Sequence, residues 1–470
     1  MSKEIEDRKF NPKQVFAESK NSLINLSGIP ESAHSFVTSS LYETLQSDST
    51  FLVVLPTNQD AESFSRELLS FLPQDEIFYF PGPENIPYEY TKWQMEWKRD
   101  RILTINRILS GNRSLVVTSV SALLRKLPVK ESLKGKSITL KLGKDFPLDQ
   151  LLSELVNLGY HREEVCEQFG HFSLKGGILD IYTPYLSNPV RIDFFGDTVD
   201  EIRTFDPNTQ KSIAKIGEII ITAANETIVS REEKEKYQET LEIHNEKRLP
   251  IDSELEIIEE HLPLVRIHEG FLKFFTKKPI LIFPRFYDTK ERSYGMEREY
   301  NTLYEKKKEE SLCLKPEELL SFGEEWNTLT SEETPGIRFS LLPDNQRNFS
   351  YEPITEVRGF RGKIREAKEH FLELLSEDPK NKIFITSSFS AQMLRLKGLF
   401  SDGELETVHS DSEEPTPLPL NNVKPGIHLV ISDLKKGFHI LDDHVYIFTD
   451  NDLFGRQYKR KTRYKNKHHK

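Results

Sequence analysis

The chain is poor in sulfur, with two cysteines and four methionines in 470 residues. Cys166 and Cys313 stand singly, with neither metal-ligand spacing nor a partner pair, so the sequence offers no disulfide framework and no thiolate metal centre. They read as reduced thiols of a cytoplasmic protein. Long apolar runs are also missing. None approaches the ~20 residues that cross a bilayer, and the first residues, MSKEIEDRKFNPKQ, lack the apolar centre of a secretory signal. No membrane partner is expected. The common catalytic signatures are absent too: there is no G-x-S-x-G elbow and no H-E-x-x-H. His161, His171, His261 and His268 sit singly. No metal or cofactor is expected.

Charge is abundant. Asp, Glu, Lys and Arg make up 30% of the residues, and the formal net charge is −11. The last fifteen residues, RQYKRKTRYKNKHHK, hold eight cations and no acid, so the rest of the chain carries −19. An acidic body argues against a broad nucleic-acid surface. The tail 456–470 reads as a solvated linker, or as a weak nucleic-acid contact in which Tyr458 and Tyr464 stack on bases.

Apolar periodicity divides the chain. Residues 1–122 alternate strands (23–26, 51–55, 77–80, 115–118) with helical stripes such as Ala33, Val37, Leu41 and Leu45, the pattern of a parallel sheet covered by helices. Residues 123–212 are rich in β signals, with one helix near 148–158. From 213 to 335 the α/β pattern resumes with Ile219–Ile221 and Pro279–Phe283, then becomes charge-dense. Residues 336–455 form a small separate α/β domain. The fold class is α/β, with an antiparallel β-rich unit inserted into the first domain.

The inserted unit carries the strongest signal. Alternation along the strand 190–195 puts Val190, Ile192 and Phe194 on one face and Arg191, Asp193 and Phe195 on the other. Upstream, Phe172 and Leu174 oppose His171, Ser173 and Lys175, and Gly176-Gly177 and Gly196-Asp197 mark the turns. An aromatic sharing an outward face with Arg has the composition of a binding hot spot. The alternative is a β subdomain whose second face is merely solvated.

Three segments of this unit, GHFSLKGGILD (170–180), RIDFFGD (191–197) and RTFDPNTQKS (203–212), resemble the second domain shared by the excision nuclease subunit UvrB and bacterial transcription-repair coupling factors (Mfd). Two more pieces resemble the coupling factors alone. They are FPGPENIPYE (80–89), and KGF (436–438) followed by FTDNDLFG (448–455). The resemblance spans most of the chain but only the amino-terminal part of that longer family. It implies a UvrB-like module that binds the damage-recognition ATPase UvrA through two basic residues and a phenylalanine, which fall on Lys175, Arg191 and Phe195. Lys175 departs from the arginine usual there and loses bidentate carboxylate recognition. RNA polymerase and DNA would be bound through polymerase-binding and translocase domains that nothing in this sequence matches.

One nucleotide-loop candidate exists. GIPESAHS (28–35) follows a strand and opens a helix, as a P-loop does. Gly28 and Ser35 match the ends of G-x-x-x-x-G-K-[ST], but Ala33 replaces the second glycine and His34 the lysine. Pro30 removes a backbone donor. Without the fixed cation at the β and γ phosphates, ATP hydrolysis is not expected; the family likewise carries a decayed loop in this domain. A divergent P-loop ATPase or helicase-like DNA-binding protein is the competing reading. Gly135-Lys136-Ser137 and the Walker B-like stretch 445–450 read as structural.

Overall fold

The computed structural model describes residues 8–9, 11–44, 50–83, 86–89, 95–132, 137–224, 226–227, 229–243, 259–310, 312–331, 333–343, 348–351, 354–400, 407–409, 415–420 and 422–455. Its centre is an eight-stranded, wholly parallel sheet. The strand order is Arg8–Lys9, Asn348–Ser350, Leu23–Ser27, Gly336–Phe339, Ile280–Phe283, Phe51–Leu55, Leu115–Ser119, Ile77–Phe80. Strands such as Phe51–Leu55 (FLVVL) are apolar throughout because helices cover both faces. Helices His34–Thr44 and Asn58–Leu68 pack on one face. Met95–Leu109, Val120–Leu124 and the long Phe286–Lys307 pack on the other.

Two boundaries differ from the sequence reading. The strand Glu218–Thr222 does not return to the parallel sheet; it pairs antiparallel with Ser137–Lys141 inside the inserted unit. Three consecutive isoleucines conceal the alternation that burial reveals: Ile219 and Ile221 are buried, while Ile220 is exposed. The unit's strands therefore run from Ser137 to Thr222, while Leu127–Pro128 pairs with His268–Glu269 outside it. At the other boundary, Gly336–Phe339 and Asn348–Ser350 complete the first sheet, so the small α/β domain begins after them. The charge-dense stretch after 289 belongs to the helix Phe286–Lys307, whose buried face mixes Phe286, Met296 and Tyr300 with Thr289 and Ser293. That mixture weakens its periodicity.

The inserted unit is a six-stranded sheet ordered Ser212–Lys215, Thr198–Phe205, Val190–Phe195, Ile178–Ile181, His171–Lys175, His161–Arg162, antiparallel except at the last pair. Its inner face closes over Leu151 and Leu155 of the helix Leu148–Asn157 and over the two-stranded sheet. Two arginines of the helix Met95–Leu109 tie this unit to the first domain. Arg99 donates to the carbonyls of Pro184 (2.8 Å) and Leu186 (3.2 Å) and lies over the Phe169 ring. Arg101, almost wholly buried, stacks 4.1 Å from the Phe80 ring and pairs with Glu226 just past the unit's last strand (Nε–Oε1 2.8 Å).

The last domain has a six-stranded sheet, Ile354–Glu356, Phe438–Ile440, Val445–Thr449, Lys382–Ser387, Gly426–Ile431, Thr407–His409. It packs against the first domain through one continuous core. Phe438 sits with its ring 5.6 Å from Phe36 and 6.4 Å from Phe71, and the Ser70 and Ser432 hydroxyls are 2.7 Å apart. Gly437 is obligatory beside it, since a side chain there would collide with the Ile447 carbonyl.

Removing one partner of a buried ion pair leaves the other desolvated and uncompensated. Glu226→Ala is expected to lower the unfolding free energy by about 3–5 kcal/mol in urea denaturation. A change under about 0.5 kcal/mol would show that Arg101 does not depend on this partner.

Candidate partner-binding site

The outer face of the six-stranded sheet is built by its register. Asp180 lies opposite Arg191, Arg191 opposite Arg203, and Arg203 opposite Lys215, forming one cross-strand row. In the next row Lys175 lies opposite Ile178, Ile178 opposite Asp193, and Asp193 opposite Glu201. Like charges placed directly opposite repel, and the neighbouring row supplies the compensation. Arg203 donates to Asp193 (2.7 Å) and Glu201 (2.9 Å), and Lys215 to Glu201 (2.9 Å). These contacts hold the Glu201 carboxyl below the usual carboxylate range, first through Lys215 and then Arg203.

The three residues carried over from the family resemblance share this face, yet they stand in different states. Phe195 is 83% exposed, the most open of the large apolar side chains among the described residues. The Lys175 side chain is exposed and has no hydrogen bond or ion pair among the described residues. Arg191 is not the open cation that alternation suggests. Its Nε and Nη2 make a bidentate pair with Asp180 (2.7 and 2.8 Å), Nη2 also reaches Gln210 (2.9 Å), and the guanidinium lies 4.4 Å from the buried Phe205 ring. Ser173, on the outward side of its strand, is nevertheless buried. The buried Cys166, whose thiol burial pushes up to about 12, donates to the His171 carbonyl nearby. Alternation placed Asp193 on this face, but Asp180, Glu201 and Gln210 were not singled out from sequence. Once the Gly176 turn fixes the register, counting across from Arg191 finds Asp180.

The P-loop-like segment lies at the end of strand Leu23–Ser27. Two of its amides are already engaged: Gly28 N–H donates to the Leu341 carbonyl and Ile29 N–H to that of Ser340, both at 3.2 Å. Gly28 adopts φ +81°, a conformation that glycine supplies without strain. Ala33 and Ser35 are fully buried, and Ser35 Oγ is 3.5 Å from Glu67 Oε2. Burial lifts the Glu67 carboxyl to about 7 despite the nearby Lys435. His34, its ring 5.2 Å from that of Phe339, is lowered to about 4 by burial, with Arg285 adding to the effect. At neutral pH it is an uncharged core residue.

The other candidates are engaged locally. His261 is buried between the Tyr237 hydroxyl (2.9 Å) and the Leu312 carbonyl (3.2 Å). Asp450 accepts from Ser387 (2.8 Å), and Asp452 accepts the Thr449 and Gly437 amides at 2.8 Å, bracing the last domain. Gly135, Lys136 and the tail 456–470 lie outside the described residues. No group of three potential metal ligands occurs among the described residues.

With this geometry in place, comparison with known proteins defines first a domain class. Residues 138–226, the six-stranded sheet with its two-stranded companion, match the family described as the UvrB interaction domain. The likeness then extends well beyond that unit. The chain is 27% identical over 465 residues to the transcription-repair-coupling factor of Bacillus subtilis (strain 168), covering 93% of this chain and 39% of the relative. Transcription-repair-coupling factors of Staphylococcus aureus (strains bovine RF122 / ET3-1 and USA300) are 32% identical over 246 residues, 52% of this chain and 20% of each relative. The chain is thus related to transcription-repair coupling factors through nearly its whole length, and it spans about two fifths of the Bacillus relative.

Because folding holds His34 neutral, the unfolded chain binds its proton first as pH falls below 6.5. Stability linked to His34 is complete above about 6.5 and is lost as pH falls towards about 4. His34→Gln is expected to reduce the drop in unfolding free energy between these pH values by roughly 1–3 kcal/mol, measured by urea denaturation. An unchanged drop would contradict a desolvated His34.

Proposed function

We propose that the chain is a non-catalytic recruitment module of transcription-coupled nucleotide excision repair that mimics UvrB and binds UvrA through the outer face of its β unit. The observation that carries this reading is Phe195, an aromatic held almost fully in solvent at a sheet end whose remaining charges are largely paired among themselves. Fold stability gives no reason to expose it; burial in a partner does. The match of this unit to the UvrB interaction domain supports the choice of UvrA. No helix among the described residues is long and apolar enough to cross a membrane, and we place the module in the cytoplasm.

The absence of catalysis is likewise a proposal, supported by the engaged Gly28 and Ile29 amides and by the neutral His34. We expect no saturable ATP hydrolysis. Hydrolysis abolished by His34→Ala or Ser35→Ala would favour the divergent ATPase instead.

Titration of the chain against purified UvrA without nucleotide tests recruitment. Phe195→Ala should weaken binding by roughly 2 kcal/mol or more and shift stability by no more than about 0.5 kcal/mol. Arg191→Ala should weaken binding too, but at a stability cost of about 1–3 kcal/mol because Asp180 loses its bidentate partner. Parent-like binding by both variants would place the partner surface elsewhere.

A further inference from the structure

The charges on the β face are not equally available, and this redraws the surface. Arg191 is taken by Asp180 and Gln210, Arg203 by Asp193 and Glu201, and Lys215 by Glu201. Asp197, beside the Phe195 turn, accepts the Leu148 amide at 3.2 Å. At the turn end of the sheet, three side chains are left without such commitments: Lys175, Phe195 and Ile178. Ile178 is 41% exposed although it lies in the middle of the sheet, flanked in register by Lys175 and Asp193. Phe195 occupies the diagonal position from Ile178, a separation of about 7–8 Å in an antiparallel ladder and within reach of an aromatic ring. Gly176 (φ +61°) and Gly196 (φ +60°) make the adjoining turns, and Gly177 allows the Phe194 carbonyl to approach where a side chain would collide.

We infer that Ile178 is a second apolar anchor of the partner surface, forming with Phe195 a continuous apolar centre whose single uncommitted cation is Lys175 among the described residues. This rests on the recruitment reading. The complementary surface on UvrA is then an apolar pocket with a carboxylate at the rim facing Lys175. Arg191 acts as a positioning residue at the margin, held rigid by Asp180, instead of as the centre of the contact. Two neighbouring apolar groups with a flanking charge match the usual arrangement of a desolvated hot spot and its polar rim.

The test is a binding titration of the full chain with purified UvrA, without nucleotide, using Ile178→Ala, Ile178→Asp, Phe195→Ala and Lys175→Gln. Ile220→Asp, at an exposed isoleucine on the two-stranded sheet, is the control. Ile178→Ala should weaken binding about tenfold and Ile178→Asp by more. Lys175→Gln should lower the association rate and flatten its salt dependence. Ile220→Asp should bind as the parent does. Thermal melts coincident with the parent's would show that Ile178→Asp is folded; if it is not, Ile178→Ala decides. Parent-like binding by the folded Ile178 variants, with binding still lost in Phe195→Ala, overturns this inference and leaves recruitment standing. Equal weakening by Ile220→Asp also overturns it. A parent that does not bind UvrA overturns both.

Discussion

Everything the inserted unit presents to solvent depends on the strand register of its sheet. Side chains alternate with period two, so a slip of one residue would bury Phe195 and expose Phe194. The register is held by the turn at Gly176-Gly177, by the close approach of Gly177 to the Phe194 carbonyl, and by the cross-strand ion pairs. The same pairs neutralise the outer face and prevent three neighbouring cations from repelling one another. What remains unpaired at the turn end is therefore defined by the folding pattern itself. Lys175, Ile178 and Phe195 of the proposed surface lie outside these pairs, while Arg191 belongs both to the ladder and to the margin of that surface.

Orientation of that face is a separate matter, and it is governed by buried charge. Arg99 and Arg101 leave the helix Met95–Leu109 on the parallel sheet's flank and end on the inserted unit or just beyond it, at Pro184, Leu186 and Glu226. A planar guanidinium with several donors fixes direction as well as distance. On the far side, Phe438 enters a cluster with Phe36 and Phe71, which carries the last domain against helices His34–Thr44 and Asn58–Leu68. The P-loop-like segment lies between these functions. Its loop amides close onto Ser340 and Leu341, just after the strand Gly336–Phe339, and Ser35 turns to Glu67. A segment with the sequence position of a nucleotide site is thus packed against its neighbours.

Much of this was legible in the sequence. Strands such as Phe51–Leu55 and Ile280–Phe283 announce a parallel sheet because burial on both faces requires uninterrupted apolar residues. The outward setting of Lys175 and Phe195 followed from alternation alone. Illegible features were of two kinds. Ile219-Ile-Ile221 has no polar residue to mark its open side, so its strand partner could not be read, and the unit's end was misplaced. Ion pairing of Arg191 depends on the opposite strand, which a single-strand pattern does not contain. Ile178 was passed over for the same reason, since an isoleucine in a strand reads as core until its neighbours across the sheet are known.

Backbone hydrogen exchange of the chain with and without UvrA would test the central claim most directly. In the free chain the solvent-facing turns at 175–177 and 195–197 should exchange quickly. The account predicts that UvrA slows exchange at both turns while leaving the last domain and residues 28–35 unchanged. Protection confined to the last domain, or none at the two turns under saturating UvrA, would contradict it.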